Sequence, residues 1–239
     1  ANLLGNESGR VIFDGDAYIA QSGRIIAESN RFSFADSNLI YSAVDLRARS
    51  TEADDIIHSN TEVFETEQPV SENSINPWED SKYKKEEEFT RAISLGLFDY
   101  LRKSKSFGFV VSLSGGADSS AISSLCFMAM HLAEKEVGFQ GLKQKLAYIP
   151  WMESVENMSG LMSKLLTTLY QGTVNSSNDT RTSAKELAKF IDSTHFEIDI
   201  DALVKGYRTL IEGAIDRTLS WESDDITLQN VQARVRSPS

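Results

Sequence analysis

Val110-Val111-Ser112-Leu113-Ser114-Gly115-Gly116-Ala117-Asp118-Ser119-Ser120 joins a short apolar run to a long stretch of helical period. Phe107 to Leu113 holds two valines and fits a buried strand. Ala121, Ile122, Leu125, Cys126, Ala129 and Leu132 follow at helical spacing, so a strongly apolar helix begins near Asp118. Between strand and helix, Gly115 and Gly116 let the main chain adopt positive φ and approach an anion closely. The serines add hydroxyl donors. The helix start aims free amides and the positive end of its dipole at whatever occupies the turn. Asp118 repels a bare phosphate, a conflict that a bridging Mg²⁺ removes, because hard cations take oxygen ligands. No Gly-Lys-Ser/Thr ending follows, so the turn is not of the Walker type. Taken alone, the same residues also describe a Gly-Ser turn with Asp118 as a helix N-cap.

Working outward, strands alternate with helices. Upstream, Phe89, Ala92, Ile93, Gly96, Leu97 and Tyr100 mark the face of a helix. Downstream, Leu146-Ala147-Tyr148-Ile149 reads as a second strand ending at Pro150. Met158, Leu161, Leu165 and Leu169 mark a helix, and Ala184, Leu187, Ala188 and Ile191 another, with Ser183 and Glu186 spaced as a capping box. Phe196 to Ile200 reads as a third strand, followed by a helix with Leu203, Tyr207, Leu210 and Ala214 on one side. This alternation predicts an α/β fold with a doubly wound parallel sheet, whose ligands sit at the carboxyl ends of the strands.

Residues 1–46 read differently, as short strands and turns. Val11-Ile12-Phe13 precedes Asp14-Gly15-Asp16, and Tyr18–Ala20 and Arg24–Ala27 flank a hairpin-like Gln21-Ser22-Gly23. Leu39 to Leu46 alternates loosely enough for one more strand. Such short strands bury no core alone and predict membership of a larger sandwich. Residues 47–80 form an acidic, polar linker closed by Asn76-Pro77-Trp78, with Trp78 placed to pin it to a neighbouring domain. Residues 81–239 carry the parallel sheet. The 239 residues hold 35 acidic against 24 basic side chains, a net charge of −11, which argues against nucleic acid or an anionic membrane as partner. The single cysteine, Cys126, excludes an intrachain disulfide framework and points to a cytoplasmic setting. A start at Ala1 on the edge of a strand and a finish at Ser239 as a helix ends read as the ends of a fragment.

The strand–turn–helix string resembles the SGGxDS signature of the PP-loop ATP pyrophosphatases. Asp224-Asp225-Ile226-Thr227-Leu228-Gln229-Asn230-Val231-Gln232-Ala233-Arg234-Val235-Arg236 is similar to the (E)NIQARxR segment of the NAD⁺ synthetases, as are Tyr170–Ser177 and the stretch around Leu203–Tyr207. Asn2 to Gly15 resembles the last strands of a nitrilase-type glutamine amidase. Together these resemble the layout of the glutamine-dependent NAD⁺ synthetases. The resemblance implies an adenine nucleotide alpha hydrolase-like sheet preceded by strands of a truncated nitrilase-type α/β sandwich. It implies an ATP-dependent adenylation of nicotinic acid adenine dinucleotide, releasing pyrophosphate, then amidation by ammonia from glutamine. ATP would lie on Ser112, Leu113, Ser114, Gly115, Gly116, Ala117, Asp118 and Ser119, with Mg²⁺ on Asp118. Arg234 matches the first arginine of the family segment and would contact the dinucleotide. In a helix Asn230 and Arg234 share a face, whereas Arg236 stands about 200° from Arg234, so one arginine reaches the site and the other faces away; Arg234 is favoured, with Asn230 beside it. Tyr148 to Pro150 would end the second strand beside the adenine, where Trp151 is bulkier than expected. The resemblance further implies a homo-oligomer formed through the synthetase domain. The amidase Glu, Lys and Cys would lie upstream of Ala1 and a second acidic Mg²⁺ ligand beyond Ser239, so this chain would complete neither half-reaction by itself.

Cys126 lies on an apolar helix face beside Ile122 and Leu125 and reads as inert packing. His58, His131 and His195 share no metal-ligand spacing and read as structural or solvated. The rival readings are another PP-loop ligase, making GMP, asparagine or thiolated tRNA, and a module that binds ATP without turnover. The Gln-Ala-Arg-Val-Arg segment argues against the first two ligases, and the low cysteine content and acidic charge against thiolation.

Overall fold

A computed structural model describes residues 1–7, 9–44, 76–174 and 176–236. The chain divides into two compact units, one built on the described residues of 1–103 with 129–142, the other on those of 104–128 and 143–239.

In the first unit β1 (Leu4–Glu7) pairs antiparallel with β2 (Val11–Asp14), and β3 (Tyr18–Gln21) with β4 (Arg24–Glu28). Ser22 (φ 51°) and Gly23 (φ 78°) both take left-handed backbone, the turn whose twist suits two strands that meet this tightly. The strand expected over Leu39–Leu46 is not formed at residues 39–44, and residues 45–46 lie outside the described residues, as does nearly all of the acidic linker. Leu39 and Tyr41 are exposed, so the loose alternation has no core to bury there. Helix α1 (Lys84–Ser104) forms as its period predicts, but its buried positions include Leu95, Phe98 and Leu101, while Phe89 and Tyr100 are exposed. The burial is fixed by partners that the helical wheel does not contain. Phe34 meets the Phe98 ring edge-on at 5.3 Å, and the Asn6 amide donates to the Asp99 carboxylate at 3.0 Å. Trp78 is buried, with the Arg31 and Arg91 guanidinium groups over its ring at 5.6 and 5.1 Å.

The second unit is built on three parallel strands, β5 (Phe109–Ser112), β6 (Leu166–Gly172) and β7 (Thr194–Asp199), in that order. Helix α2 (Ala117–Lys145) follows β5, with its residues 117–128 and 143–145 in this unit and 129–142 in the first; it is interrupted at Gly138, whose φ of 72° and ψ of 162° suit only glycine. Helices α3 (Met158–Leu165), α4 (Asn178–Phe190), α5 (Asp201–Ile215) and α6 (Asp225–Val235) complete it. The α/β class and the parallel sheet are thus observed, while the middle strand is not the expected one. Leu146 to Ile149 form turns, with hydrogen bonds from the amides of Leu146, Ile149 and Met152 to carbonyls three residues back. The same three residues are buried, a period of three that a strand lacks. The middle strand instead follows α3 directly. Leu165 and Leu169 are helically spaced by coincidence: Leu166 is already extended (φ −117°, ψ 113°), and Leu166, Thr168 and Tyr170 alternate into the core.

Helix α4 starts earlier than Ser183 and Glu186 implied. Ser177 is its N-cap, accepting from the Thr180 amide at 3.2 Å, which leaves the supposed capping box inside the helix. One apolar cluster packs Leu113 and Tyr170 against Ala184 and Ala188. Another packs Ile200 against Val231 and Val235, with Val204 and Ile211 of α5 at its edge. The expected α5 stripe faces outward instead, Leu203, Tyr207 and Leu210 being exposed. Cys126 is buried, and burial pushes its thiol up to about 12, so the side chain is unreactive packing. No described helix is long and apolar enough to cross a membrane.

Candidate functional site

The carboxyl ends of β5 and β6 open on a cavity of about 340 Å³. Ser112 and Ser114 line it from the β5–α2 turn, Tyr170 and Gln171 from β6, Ser177 and Thr180 from α4, and Gln232 and Arg236 from α6. This is the position where parallel sheets place their ligands.

The turn is held by its own hydroxyls. Leu113 extends the strand by one more bond, its amide donating to the Leu169 carbonyl at 2.7 Å, and its side chain is fully buried. The Ser119 hydroxyl accepts from the Ser114 amide and lies 3.2 Å from the Gly116 carbonyl, while the Gly116 amide donates to the Ser114 hydroxyl at 3.3 Å. Gly115 has φ 77°, and a Cβ there would collide with the Thr180 carbonyl, whose carbon would lie 2.8 Å away. Only glycine lets the turn and the first turn of α4 lie this close. Ala117, Asp118 and Ser119 form the first turn of α2, whose amides have no helical acceptor. The turn is therefore open to a cavity and ends in free donors at the positive end of a helix dipole.

Asp118 is exposed, and its carboxylate has no partner among the described residues. No group of three or more His, Cys, Asp or Glu among the described residues could hold a metal ion. A lone exposed carboxylate beside free amides fits Mg²⁺ held mostly by phosphate oxygens and water, and does not fit a metal held by protein ligands alone. His131 stands 3.8 Å from Glu134, and His195 shares a 2.9 Å hydrogen bond with Thr168. Partial burial holds the His195 ring below its ordinary pKa and so neutral at pH 7. His58 lies outside the described residues.

Asn230 and Arg234 are exposed and do not line the cavity; Gln232 and Arg236, also four apart, do. Of the two arginines, Arg236 is the one that lines this cavity. Tyr148, expected beside the adenine, hydrogen-bonds to the Ser106 carbonyl at 3.1 Å and is not at a strand end. Gln171 went unsingled in the sequence, although it lies within the family-like stretch. It accepts from the Ser112 hydroxyl at 2.7 Å and donates to the Arg236 carbonyl at 2.9 Å.

The start of α6 is anchored by Asp224. Arg217 grips its carboxylate with two bonds, of 2.9 and 2.5 Å, and the Ser223 hydroxyl and Ser220 amide add two more. The Arg217 hydrogen bonds, then those from Ser223 and Ser220, hold this carboxyl well below the usual carboxylate range. A depressed carboxyl stabilises the fold above its unfolded pKa of about 3.9 and loses that contribution as pH falls further. Amide protection in α6 is therefore expected to stay level from about pH 8 to 5 and to weaken below about pH 4. In Asp224→Asn, exchange in α6 should be faster already at neutral pH and lack the acid step. Hydrogen exchange across a pH series checks both.

A family model described as NAD synthase matches residues 89–238. A glutamine-dependent NAD(+) synthetase of Oryza sativa subsp. indica is 31% identical over 99% of this chain and 36% of its own length. That of Drosophila melanogaster is 32% identical over 99% of this chain and 33% of its own length. The chain thus spans about a third of the length of these curated relatives. The crystal structure of a glutamine-dependent NAD(+) synthetase from Cytophaga hutchinsonii superposes with a TM-score of 0.76 at 39% identity, covering 98% of this chain and 36% of that one.

Proposed function

Since the chain belongs to the NAD synthase family, we propose that it forms the ATP-handling part of an enzyme that adenylates nicotinic acid adenine dinucleotide and amidates it with ammonia from glutamine. In the first step a carboxylate oxygen attacks the α-phosphorus of ATP, and the bond to the leaving pyrophosphate breaks. In the second, ammonia attacks the acyl carbon and AMP departs, leaving NAD⁺. The observation that carries the reading is the Gly115–Ser119 turn beside the cavity that Ser112 and Ser114 line. The amides of Ala117, Asp118 and Ser119, with the serine hydroxyls, suit the negative charge that builds on departing pyrophosphate, and they are already in place when it develops. Mg²⁺ held at Asp118 would neutralise charge on the phosphates and let the carboxylate stand beside them. Arg236, with Gln232 beside it, lines the same cavity and is the better placed arginine for the anionic dinucleotide.

The remaining assignments rest on resemblance. Residues 1–46 are read as the last strands of a nitrilase-type amidase, 47–80 as a linker and 81–239 as the start of the synthetase domain. Supporting this, the curated relatives align over 99% of the chain, well upstream of residue 89. The full protein is read as a homo-oligomer joined through the synthetase domain. One buried, unreactive cysteine suits a reducing cytoplasm.

The test is pyrophosphate release by the full-length protein. With ATP, Mg²⁺ and nicotinic acid adenine dinucleotide, pyrophosphate is expected with the AMP retained on the adenylated dinucleotide; once glutamine is added, pyrophosphate, AMP and NAD⁺ are expected in equal amounts. Turnover with xanthosine monophosphate or aspartate instead would assign a different PP-loop ligase. Tight ATP binding with no turnover on any carboxylate would leave a nucleotide-binding module.

A further inference from the structure

We propose that Thr180 is a positioning residue that makes the α4 side of this cavity a wall of hydrogen-bond acceptors, and that this wall selects ATP by the amino group of its base. The inference rests on the reading above for the presence of ATP in the cavity. Its physical basis is a count of protons. Three oxygens stand around the Thr180 Oγ1: the Ser177 carbonyl at 3.0 Å, the Tyr170 hydroxyl at 3.0 Å and the Ser177 hydroxyl at 3.1 Å. A hydroxyl carries one proton and two lone pairs. The carbonyl has no proton, so Thr180 donates to it. All three contacts are then hydrogen bonds only when Tyr170 and Ser177 both donate to Thr180. The Ser177 hydroxyl also accepts from the Thr180 amide at 3.2 Å, which agrees with a proton turned toward Oγ1.

Two protons are thereby committed to Thr180, and Tyr170 and Ser177 both line the cavity. What each hydroxyl has left for a ligand is a lone pair. The Tyr170 ring is buried against Leu113, Ala184 and Ala188, so its hydroxyl is held in place by packing as well. Such acceptors suit no phosphate oxygen, which is itself an acceptor. The phosphates belong instead to the donors at the start of α2, the amides of Ala117, Asp118 and Ser119. The site is therefore divided by polarity, with donors on the α2 side and acceptors on the α4 side. The part of ATP that suits the second side is the nucleoside, and the adenine amino group is its strongest donor. In inosine triphosphate (ITP) a carbonyl oxygen replaces that group, and it would meet lone pairs with a lone pair.

The experiment measures equilibrium binding of ATP and ITP, each with Mg²⁺, to the full-length protein. Wild type is expected to bind ATP more than about tenfold more tightly than ITP. Thr180→Val keeps the branched shape and removes the oxygen, so the Tyr170 and Ser177 protons become free to turn to the cavity. ITP should then bind about threefold or more tighter than it does to wild type, while ATP weakens. Thr180→Ser, which keeps the hydroxyl, should retain the wild-type preference. Loosening of the site weakens both nucleotides together, and that result in Thr180→Val would overturn the proposal. Should Thr180→Val not fold, Tyr170→Phe removes one acceptor, and its preference for ATP should fall by about threefold or more; an unchanged preference would overturn the proposal. Equal affinity of wild type for ATP and ITP would also overturn it and leave the functional reading standing, and weak binding of 2′-deoxyATP in that case would put the ribose at the wall. Failure of wild type to bind either triphosphate would overturn both.

Discussion

Asp118→Asn is expected to lower pyrophosphate release by about 10³-fold or more while leaving the fold intact. The size follows from the role: a metal that neutralises phosphate charge supplies several kcal/mol in the transition state, and each ~1.4 kcal/mol is a factor of ten. Stability is spared because the Asp118 side chain is exposed and has no partner among the described residues, so only its interaction with the α2 dipole, at most about 1 kcal/mol, is lost. A second readout has the opposite sign. Without Mg²⁺ the carboxylate opposes the phosphates, so ATP should bind the variant at least as well as wild type; with Mg²⁺ the order should reverse. Unchanged pyrophosphate release, measured at saturating Mg²⁺, would remove Asp118 from the metal site.

Gly115→Ala should be the more damaging change to the molecule itself. A left-handed backbone at φ 77° costs alanine about 1–2 kcal/mol, and the added methyl meets the Thr180 carbonyl as well. Relief requires the turn to move or the first turn of α4 to withdraw, and either opens the cavity. A loss of about 2–4 kcal/mol is expected, with ATP affinity down by more than about tenfold. Gly116 supplies the control. A Cβ there meets only the Ser114 hydroxyl oxygen, at 3.3 Å, so Gly116→Ala should cost far less stability. Equal denaturation midpoints for the two variants would show that Gly115 is not held by Thr180.

The residues differ in how much of this they disclose. The β5–turn–α2 unit is legible because everything that forms it is local: a β-branched run, two glycines and a helical period with no competing pattern. The Ser22-Gly23 hairpin is legible for the same reason. Leu166–Gly172 is not, since Leu165 and Leu169 continue a helical spacing past the point where the chain becomes extended. Nothing local announces that change; it is fixed by pairing with β5 on one side and β7 on the other. The case of Arg234 and Arg236 is more instructive. A helical wheel gives the angle between them but not the phase of the helix on the sheet. That phase is set by Val231 and Val235, which are buried in the cluster with Ile200. They leave an arginine on each flank, and only tertiary structure decides which flank adjoins Ser112.

Helix α3 ends at Leu165 and β6 begins at Leu166, with no connecting residue between them. Such a junction has no slack to absorb a change of chain length. A single codon inserted there would reverse the parity of the strand, turning Gln171 toward the face of Ala184 and Tyr170 toward the opposite one. An insertion of two would restore the parity. Natural length variation in this part of the gene should therefore be confined to regions other than 158–172, because the sheet counts these residues one by one.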